Sequence, residues 1–253
     1  MIKCSDFNWC FRFVISGWLA DSCDSRVLNS QARITHQSVS KLFLTSFDAK
    51  QLTSMKKVGW FIFVFFAVGI GLYPVMYFLT SEKVGLLSAK SAEILESQVW
   101  WVAFYMHISF GAVSLLTGWS QFSKKIRAKR MSLHRTLGKI YLIAVMFGGL
   151  AGFYLALNAN GGWIAQVGFS AMALCWLSTS ALAYVAIRKK DLSAHRAWMI
   201  RSYALAFSAV TLRLWLPIFD IFLGMGFDDS YTIISWLSWV PNLFVAQLFV
   251  NRK

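Results

Sequence analysis

The sequence predicts an all-α polytopic membrane protein, a six-helix transmembrane bundle with both termini cytoplasmic. Three observations carry that prediction. Of 253 residues, 57% are hydrophobic and only 14% are charged, against about a quarter charged in a soluble domain. The apolar residues gather into runs near or above the ~20 needed to cross a hydrocarbon core of roughly 30 Å. The basic residues sit between those runs, dense in one gap and sparse in the next.

Residues 1–54 differ from the rest: they mix polar and apolar residues and show no sustained period. A signal peptide over Trp9 to Ala20 is disfavoured, because Arg12 interrupts its apolar core and Asp6 precedes it. Met55-Lys56-Lys57 directly before an apolar run is how many inner-membrane proteins begin. The expectation is therefore a disordered tail or gene-start artefact over 1–54 and a six-span membrane domain over 55–253.

Span one, 58–81, carries no charge, and span two, 98–121, contains His107 and no charge. The uncharged stretch 140–187 is too long for one helix, and the turn residues Asn158, Asn160, Gly161 and Gly162 break it near its middle. Spans three and four follow, at 138–157 and 163–187. Span five, 197–223, is apolar except for Arg201, Arg213 and Asp220, and span six, 231–250, is uncharged. Pro74, Pro217 and Pro241 all lie inside spans, where neighbouring helices must satisfy the freed carbonyls. Pro74 and Pro217 fall in the outer halves, where kinks would open a cavity.

Orientation follows from lysine and arginine, which concentrate in cytoplasmic loops. The gap between spans two and three contains Lys124, Lys125, Arg127, Lys129 and Arg130, and the gap between four and five contains Arg188, Lys189 and Lys190. The opposite side has only Lys83 and Lys90, alongside Glu82, Glu93, Glu96, Asp228 and Asp229. Trp60, Trp119 and Trp198 fit the inner interface and Trp100, Trp101 and Trp163 the outer one. The net charge of +14 is thus topology, and no nucleic acid is called for. The partner is the lipid bilayer, and the location a bacterial inner membrane. Cys4, Cys10, Cys23 and Cys175 form no metal-ligand spacing.

Span two has a small and polar stripe on one helical face: His107, Gly111, Ser114, Gly118 and Gln121. A histidine at mid-membrane is a functional candidate by default, and interhelical glue is its plainer use. The pattern Ser132-Leu133-His134-Arg135 recurs as Ser193-Ala194-His195-Arg196, each just before a span entering from the cytoplasm. Serine there caps a helix and arginine meets lipid phosphate, which leaves the repeated histidine to explain. Two imidazoles at one level on neighbouring helices can ligate a haem iron, so His134 and His195 are the candidate metal ligands and haem b the candidate cofactor. Small residues below His134, Gly138, Gly148 and Gly152, would leave room for the ring. Arg201 can reach the cytoplasmic interface, whereas Arg213 lies too far from that face to reach it and needs an internal partner. Asp220, helix carbonyls or a bound anion are its candidates. With His107 at similar depth, Arg213 forms a candidate cofactor-binding site in the outer half, for a quinone or another small molecule. No span has a carboxylate near its centre, which counts against ion pumping, and Walker loops, nucleophile triads and zinc motifs are absent.

The run of His107, Gly118-Trp119-Ser120-Gln121-Phe122, His134-Arg135, Gly138, Tyr141, His195-Arg196, Trp198-Met199, Arg201-Ser202-Tyr203-Ala204-Leu205 and Arg213 resembles the bacterial predicted-membrane-protein family known as domain of unknown function 2306. The resemblance covers 60–250 and is most specific from His195 to Pro217. Family members often have proline where this chain has Trp119, a departure that affects local helix shape. The resemblance implies a multi-spanning membrane protein with these histidines and Arg213 as its signature, and it brings no activity. Transmembrane b-type cytochromes are similar in architecture alone.

Two function classes stand side by side. One is a redox protein with haem at His134 and His195 and a quinone site at His107 and Arg213. The other is a non-enzymatic membrane protein, a small-solute permease or an assembly partner, with the same residues as interhelical glue. The charge alternation makes its own prediction: reporter tags at Gly162 and Asp228 will lie outside the cell membrane and tags at Lys129 and Lys253 inside. A Lys129 fusion found outside would overturn the six-span topology.

Overall fold

The computed structural model describes residues 49–80 and 85–251. The expectations for the signal-like segment and for most of 1–54 lie outside the described residues. The chain divides into two compact units, Met1–Ile62 and Phe63–Lys253. The first contributes only the start of helix α1 (Ala49–Leu72) to the described part.

Among the described residues every regular element is helical. Six stretches are long and apolar enough to cross a membrane: Lys57–Leu79, Gln98–Phe122, Met131–Ala156, Gly162–Arg188, Leu192–Leu223 and Phe227–Asn251. Four of them are interrupted: the first at Pro74, the second after Gly118, the fifth at Phe207 and the sixth just before Pro241. Pro74 separates α1 from a short α2 (Val75–Leu79). A brief α3 (Ala92–Glu96) leads into α4 (Gln98–Gly118), where the Ser97 hydroxyl accepts from the Trp100 amide at 3.3 Å. After Gly118 the chain tightens into a 3-10 turn, Trp119–Phe122, then α5 (Lys124–Lys129) and the long α6 (Met131–Ala156). Helix α7 (Gly162–Arg188) starts from Gly161, whose φ of 83° places it in the left-handed region that glycine tolerates. The fifth stretch is α8 (Leu192–Ala206) and α9 (Ser208–Leu223), joined at Phe207. The sixth is α10 (Phe227–Leu237) and α11 (Val240–Asn251), which part just before Pro241. Proline lacks the amide that would continue the ladder.

Two local expectations change. The Ser-x-His-Arg segments lie inside the first turns of α6 and α8 rather than ahead of their spans. The capping is also done by another residue: Asp191 accepts from the Ala194 amide at 2.9 Å, and Arg130, at the start of α6, makes no side-chain cap. Asp191 stands where the side chain of an N-cap residue must stand, two positions ahead of Ser193.

Helices α4, α6, α7 and α8 enclose the main core, built around Tyr141, Val145, Trp176, Tyr203 and Leu205. The outer surfaces are inverted relative to a water-soluble bundle: Phe65, Trp163 and Phe222 stand 63%, 73% and 78% exposed. Lipid contact accounts for that exposure, since hydrocarbon is as apolar as the side chains themselves. Below, the two ends of the bundle are called after residues found there, the Asn158 end and the His134 end.

Gly118 sets the closest approach in the core. A Cβ there would fall on the ring of Tyr203 and stand 3.0 Å from Tyr141. Gly111, on the same helix, has nothing within 4 Å of its would-be Cβ. Gly118→Ala is therefore expected to destabilise the protein by about 1–3 kcal/mol through overpacking, and Gly111→Ala to leave stability near wild type. Unfolding midpoints of the two variants in detergent check this, and equal midpoints would contradict it.

Candidate functional site

The small and polar stripe of α4 packs on α6. The Nδ1 of His107 donates to the Gly148 carbonyl at 2.8 Å, across the two helices. Gly152, one turn further, lies against the imidazole: a Cβ there would be 2.7 Å from Nδ1. A Cβ at Gly148 would stand 3.2 Å from the Phe110 side chain, and one at Gly138 would stand 3.4 Å from the Gln121 amide oxygen. The glycine face of α6 is thus filled by side chains of α4 and the turn after it. Because a carbonyl only accepts, Nδ1 carries the proton, and the neutral ring offers Nε2 as the atom left for another partner.

His107 also lines two neighbouring cavities. An inner chamber of about 170 Å³ is walled by Trp100, Gly152, Met172, Trp176 and Ala209 together with His107 and Arg213. A wider chamber of about 440 Å³ is walled by Tyr73, Tyr77, Leu216, Pro217 and Tyr231, again with His107 and Arg213. Leu86, Phe104, Leu155 and Leu212 belong to both walls. The two residues that sequence depth alone set at one level are therefore side by side on one hollow. Pro217 lies in the wall of the wider chamber, next to the break at Pro74 that follows Tyr73.

Arg213 donates from its terminal amine to the Ala209 carbonyl, one turn back on α9, at 2.9 Å. Its guanidinium carbon stands 4.8 Å from the centre of the Tyr73 ring. Asp220, the ion-pair partner that sequence spacing offered, lies on the wall of the wider chamber and is exposed, and among the described residues it makes no salt bridge to Arg213. One helix carbonyl and one aromatic face use two parts of a group with five N–H donors. The indole N–H of Trp100, a residue only 2% exposed, has no acceptor at all.

Sequence reasoning passed over Lys90. It lines the inner chamber from the Asn158 end, donates to the Asn158 carbonyl and lies 6.0 Å above the Trp100 ring. Around it the connecting segments are tied together: the Asn160 amide donates to the Ala89 carbonyl at 2.8 Å and to Asp228 at 3.1 Å, and the Thr232 hydroxyl donates to the Gly161 carbonyl at 2.8 Å. Burial holds the Lys90 ammonium down at about 8, against the opposing pull of Asp228. The signal was present in the sequence, as one of two basic residues on the sparse side, but it read as topology.

His134 and His195 lie elsewhere, at the other end of the bundle. The Nδ1 of His195 donates to the Ala183 carbonyl at 2.8 Å, whereas the Nδ1 of His134 is buried with no partner. Neither cavity is lined by them. Among the described residues no group of three or more His, Cys, Asp or Glu side chains is placed to hold a metal ion. The room expected beside His134 for a haem ring is the glycine face already filled by Phe110, His107 and Gln121. Arg201, expected to reach the interface, is instead only 8% exposed, donating to the side-chain amide oxygen of Gln247 at 2.8 Å and stacked 4.6 Å from Trp198.

A buried polar chain crosses the core between these regions. The Ser180 hydroxyl donates to the Trp176 carbonyl at 2.8 Å, so it accepts from Ser202 at 2.6 Å, and Ser202 in turn accepts from Tyr141 at 2.7 Å. Each hydroxyl has one proton, which fixes that order.

Residues 104–250, which include His107, His134, His195 and Arg213, match the model of a family described as a predicted membrane protein, DUF2306. No curated protein and no solved structure matches the chain.

Proposed function

The chain belongs to the DUF2306 family of predicted membrane proteins, and from the geometry of the two chambers we propose that it is a membrane-embedded binding protein for a small amphiphile. The ligand places an oxygen-bearing head group between His107 and Arg213 and its apolar remainder in the wider chamber. The observation that carries this reading is the guanidinium of Arg213, which faces both chambers with a single carbonyl and a tyrosine ring as partners. A charge placed deep in a membrane costs about 2.5–3.5 kcal/mol even on the lowest scale. Ligand oxygens would offset that cost by accepting the remaining N–H groups. His107 Nε2 supplies a proton acceptor beside it, so a hydroxyl, a carboxyl or a quinone–quinol pair all suit the pair of residues. The aromatic walls formed by Tyr73, Tyr77, Phe104 and Tyr231 suit a flat or chain-like apolar body. The protein sits in a bacterial inner membrane with its Asn158 end outside, as the distribution of lysine and arginine favours.

Haem b at His134 and His195 is a separate reading with one supporting observation. The Ala183 carbonyl fixes the tautomer of His195 and leaves Nε2 for a ligand, as second-shell carbonyls do for metal-bound histidine. It predicts a Soret band that shifts on reduction and is lost in His134→Ala and His195→Ala. Colourless protein from haem-replete cells discards it without touching the chamber.

The chamber reading is tested with Trp100 and Trp176, which line the inner chamber. Protein in nanodiscs will show saturable quenching of tryptophan fluorescence by a terminally brominated decyl amphiphile with an oxygen head, either carboxylate or quinone. Arg213→Leu will weaken that binding about tenfold or more, the loss expected when a charged hydrogen bond is removed. Quenching that never saturates with either head group, or that Arg213→Leu leaves unchanged, overturns the proposal.

A further inference from the structure

The inner chamber has an electrostatic composition that narrows the ligand. Among the described residues its wall includes Lys90, His107 and Arg213 and contains no Asp or Glu. Trp100 adds a buried N–H without an acceptor. Of the described carboxylates, Asp220 lines only the wider chamber, Asp228 is exposed and bonded to Asn160 while its charge still acts on Lys90, and Glu93 and Glu96 are exposed on the short helix α3. The charged side chains described on this hollow are thus two cations, Lys90 and Arg213.

A cavity of this kind discriminates by charge. A neutral carbonyl head satisfies hydrogen-bond donors but leaves Arg213 without a counter-charge, and Lys90 with only the exposed Asp228, in a medium where unit charges interact far more strongly than in water. An oxyanion satisfies both demands at once, and a carboxylate matches the fork of a guanidinium. A cation is repelled from both ends of the chamber.

Building on the chamber reading, we infer that the ligand's head group is an oxyanion, of carboxylate type, gripped at two points by Arg213 from α9 and Lys90 from the segment before α3. Lys90 is thereby a binding residue as well as a clasp: the same ammonium that holds the Asn158 carbonyl closes the chamber over the anion. The carboxylate has two sources, a free fatty acid from the bilayer or a short organic acid from the aqueous side. The chain length of the probe separates them.

Lys90 also gives the binding a pH signature. The groups that face it are Asp228 from α10, the Trp100 ring from α4, and Arg213, His107 and Tyr231 across the chamber. With its ammonium held near 8 when the chamber is empty, the cation is present below that pH and lost above it. A bound anion favours the charged form, so anion affinity is full below about 8 and falls as pH rises past it.

The experiment compares 10-bromodecanoate, bromoacetate and a brominated decyl quinone by tryptophan quenching in nanodiscs of zwitterionic lipid, from pH 7 to pH 9.5. The expected result is that decanoate binds at least about tenfold more tightly than the decyl quinone at pH 7. Its affinity will fall on the alkaline side, and Lys90→Met will abolish that pH dependence and weaken binding about tenfold, with Lys90→Arg restoring binding. Tight bromoacetate binding assigns the aqueous source, and decanoate binding alone assigns the bilayer. Preference for the quinone, or a Lys90→Met variant that binds decanoate like wild type, overturns the oxyanion inference and leaves the chamber reading standing. No saturable binding by any of the three probes overturns both.

Discussion

Lipid offers no hydrogen bonds, so every polar group within the bundle has to be satisfied by the bundle or by something it holds. That constraint arranges the whole interior. Tyr203 gives its hydroxyl proton to the Leu115 carbonyl at 3.1 Å, and Thr179 and Ser180 return theirs to their own helix. Asn242 bridges Thr211, Ser238 and Ala204, where the sixth stretch is broken. Against this thoroughness the partly used guanidinium of Arg213 and the unpartnered indoles of Trp100 and Trp176 stand apart on the wall of one hollow, while among the described residues the His134 Nδ1 and the Ser238 hydroxyl are unpartnered away from it. Where satisfaction is the rule, groups left with spare donors around one cavity mark where the bundle expects a guest.

Close helix approach is what brings that cavity into being. Glycines 148 and 152 let α4 and α6 come near enough for an imidazole on one to reach a carbonyl on the other. Had either been a larger residue, His107 would be pushed from the wall. The bundle thus spends its small residues on holding His107 in a fixed tautomer rather than on accommodating a macrocycle. Interhelical glue and ligand recognition, which compete as explanations of an intramembrane histidine, need not exclude each other here: Nδ1 holds the Gly148 carbonyl, and the proposed ligand would take Nε2.

The fold was legible because its signals are additive over many residues. Hydropathy and the placement of Lys and Arg each sum over whole spans, so a local irregularity at Phe207 or before Pro241 does not disturb the reading. The site was legible in part, for a different reason. Depth along a helix can be counted from its ends, and that was enough to set His107 and Arg213 at one level. Direction around the axis of a kinked helix cannot be counted. Asp220 shares a sequence face with Arg213, yet Pro217 intervenes within α9 and no ion pair forms. Arg201 looked free to reach the interface, and the partner that holds it, Gln247, is 46 positions away on another helix. Lys90 was hidden because a lone lysine in a loop carries no pattern; only the fold of the connecting segments over the chamber gives it a role.

The repeated Ser-x-His-Arg segment shows how one sequence pattern can end in two environments. Tyr141 and Ser202, 61 positions apart and therefore equivalent in the repeat, bond to each other across α6 and α8. The relation between the two halves is thus physical, with like positions meeting at their common interface. His195 completes its half by reaching back to the Ala183 carbonyl on the preceding helix α7. The equivalent reach for His134 leads to Phe122, where the helix has already tightened into the turn Trp119–Phe122. A tightened turn rotates its carbonyls away from the positions they hold in an α-helix, and His134 is left with a buried, unpartnered Nδ1. The tightened turn Trp119–Phe122 is therefore where the two halves of the repeat part. One hairpin of the repeat keeps its histidine as a closed structural bond, and the other holds an equivalent side chain that local backbone geometry has released.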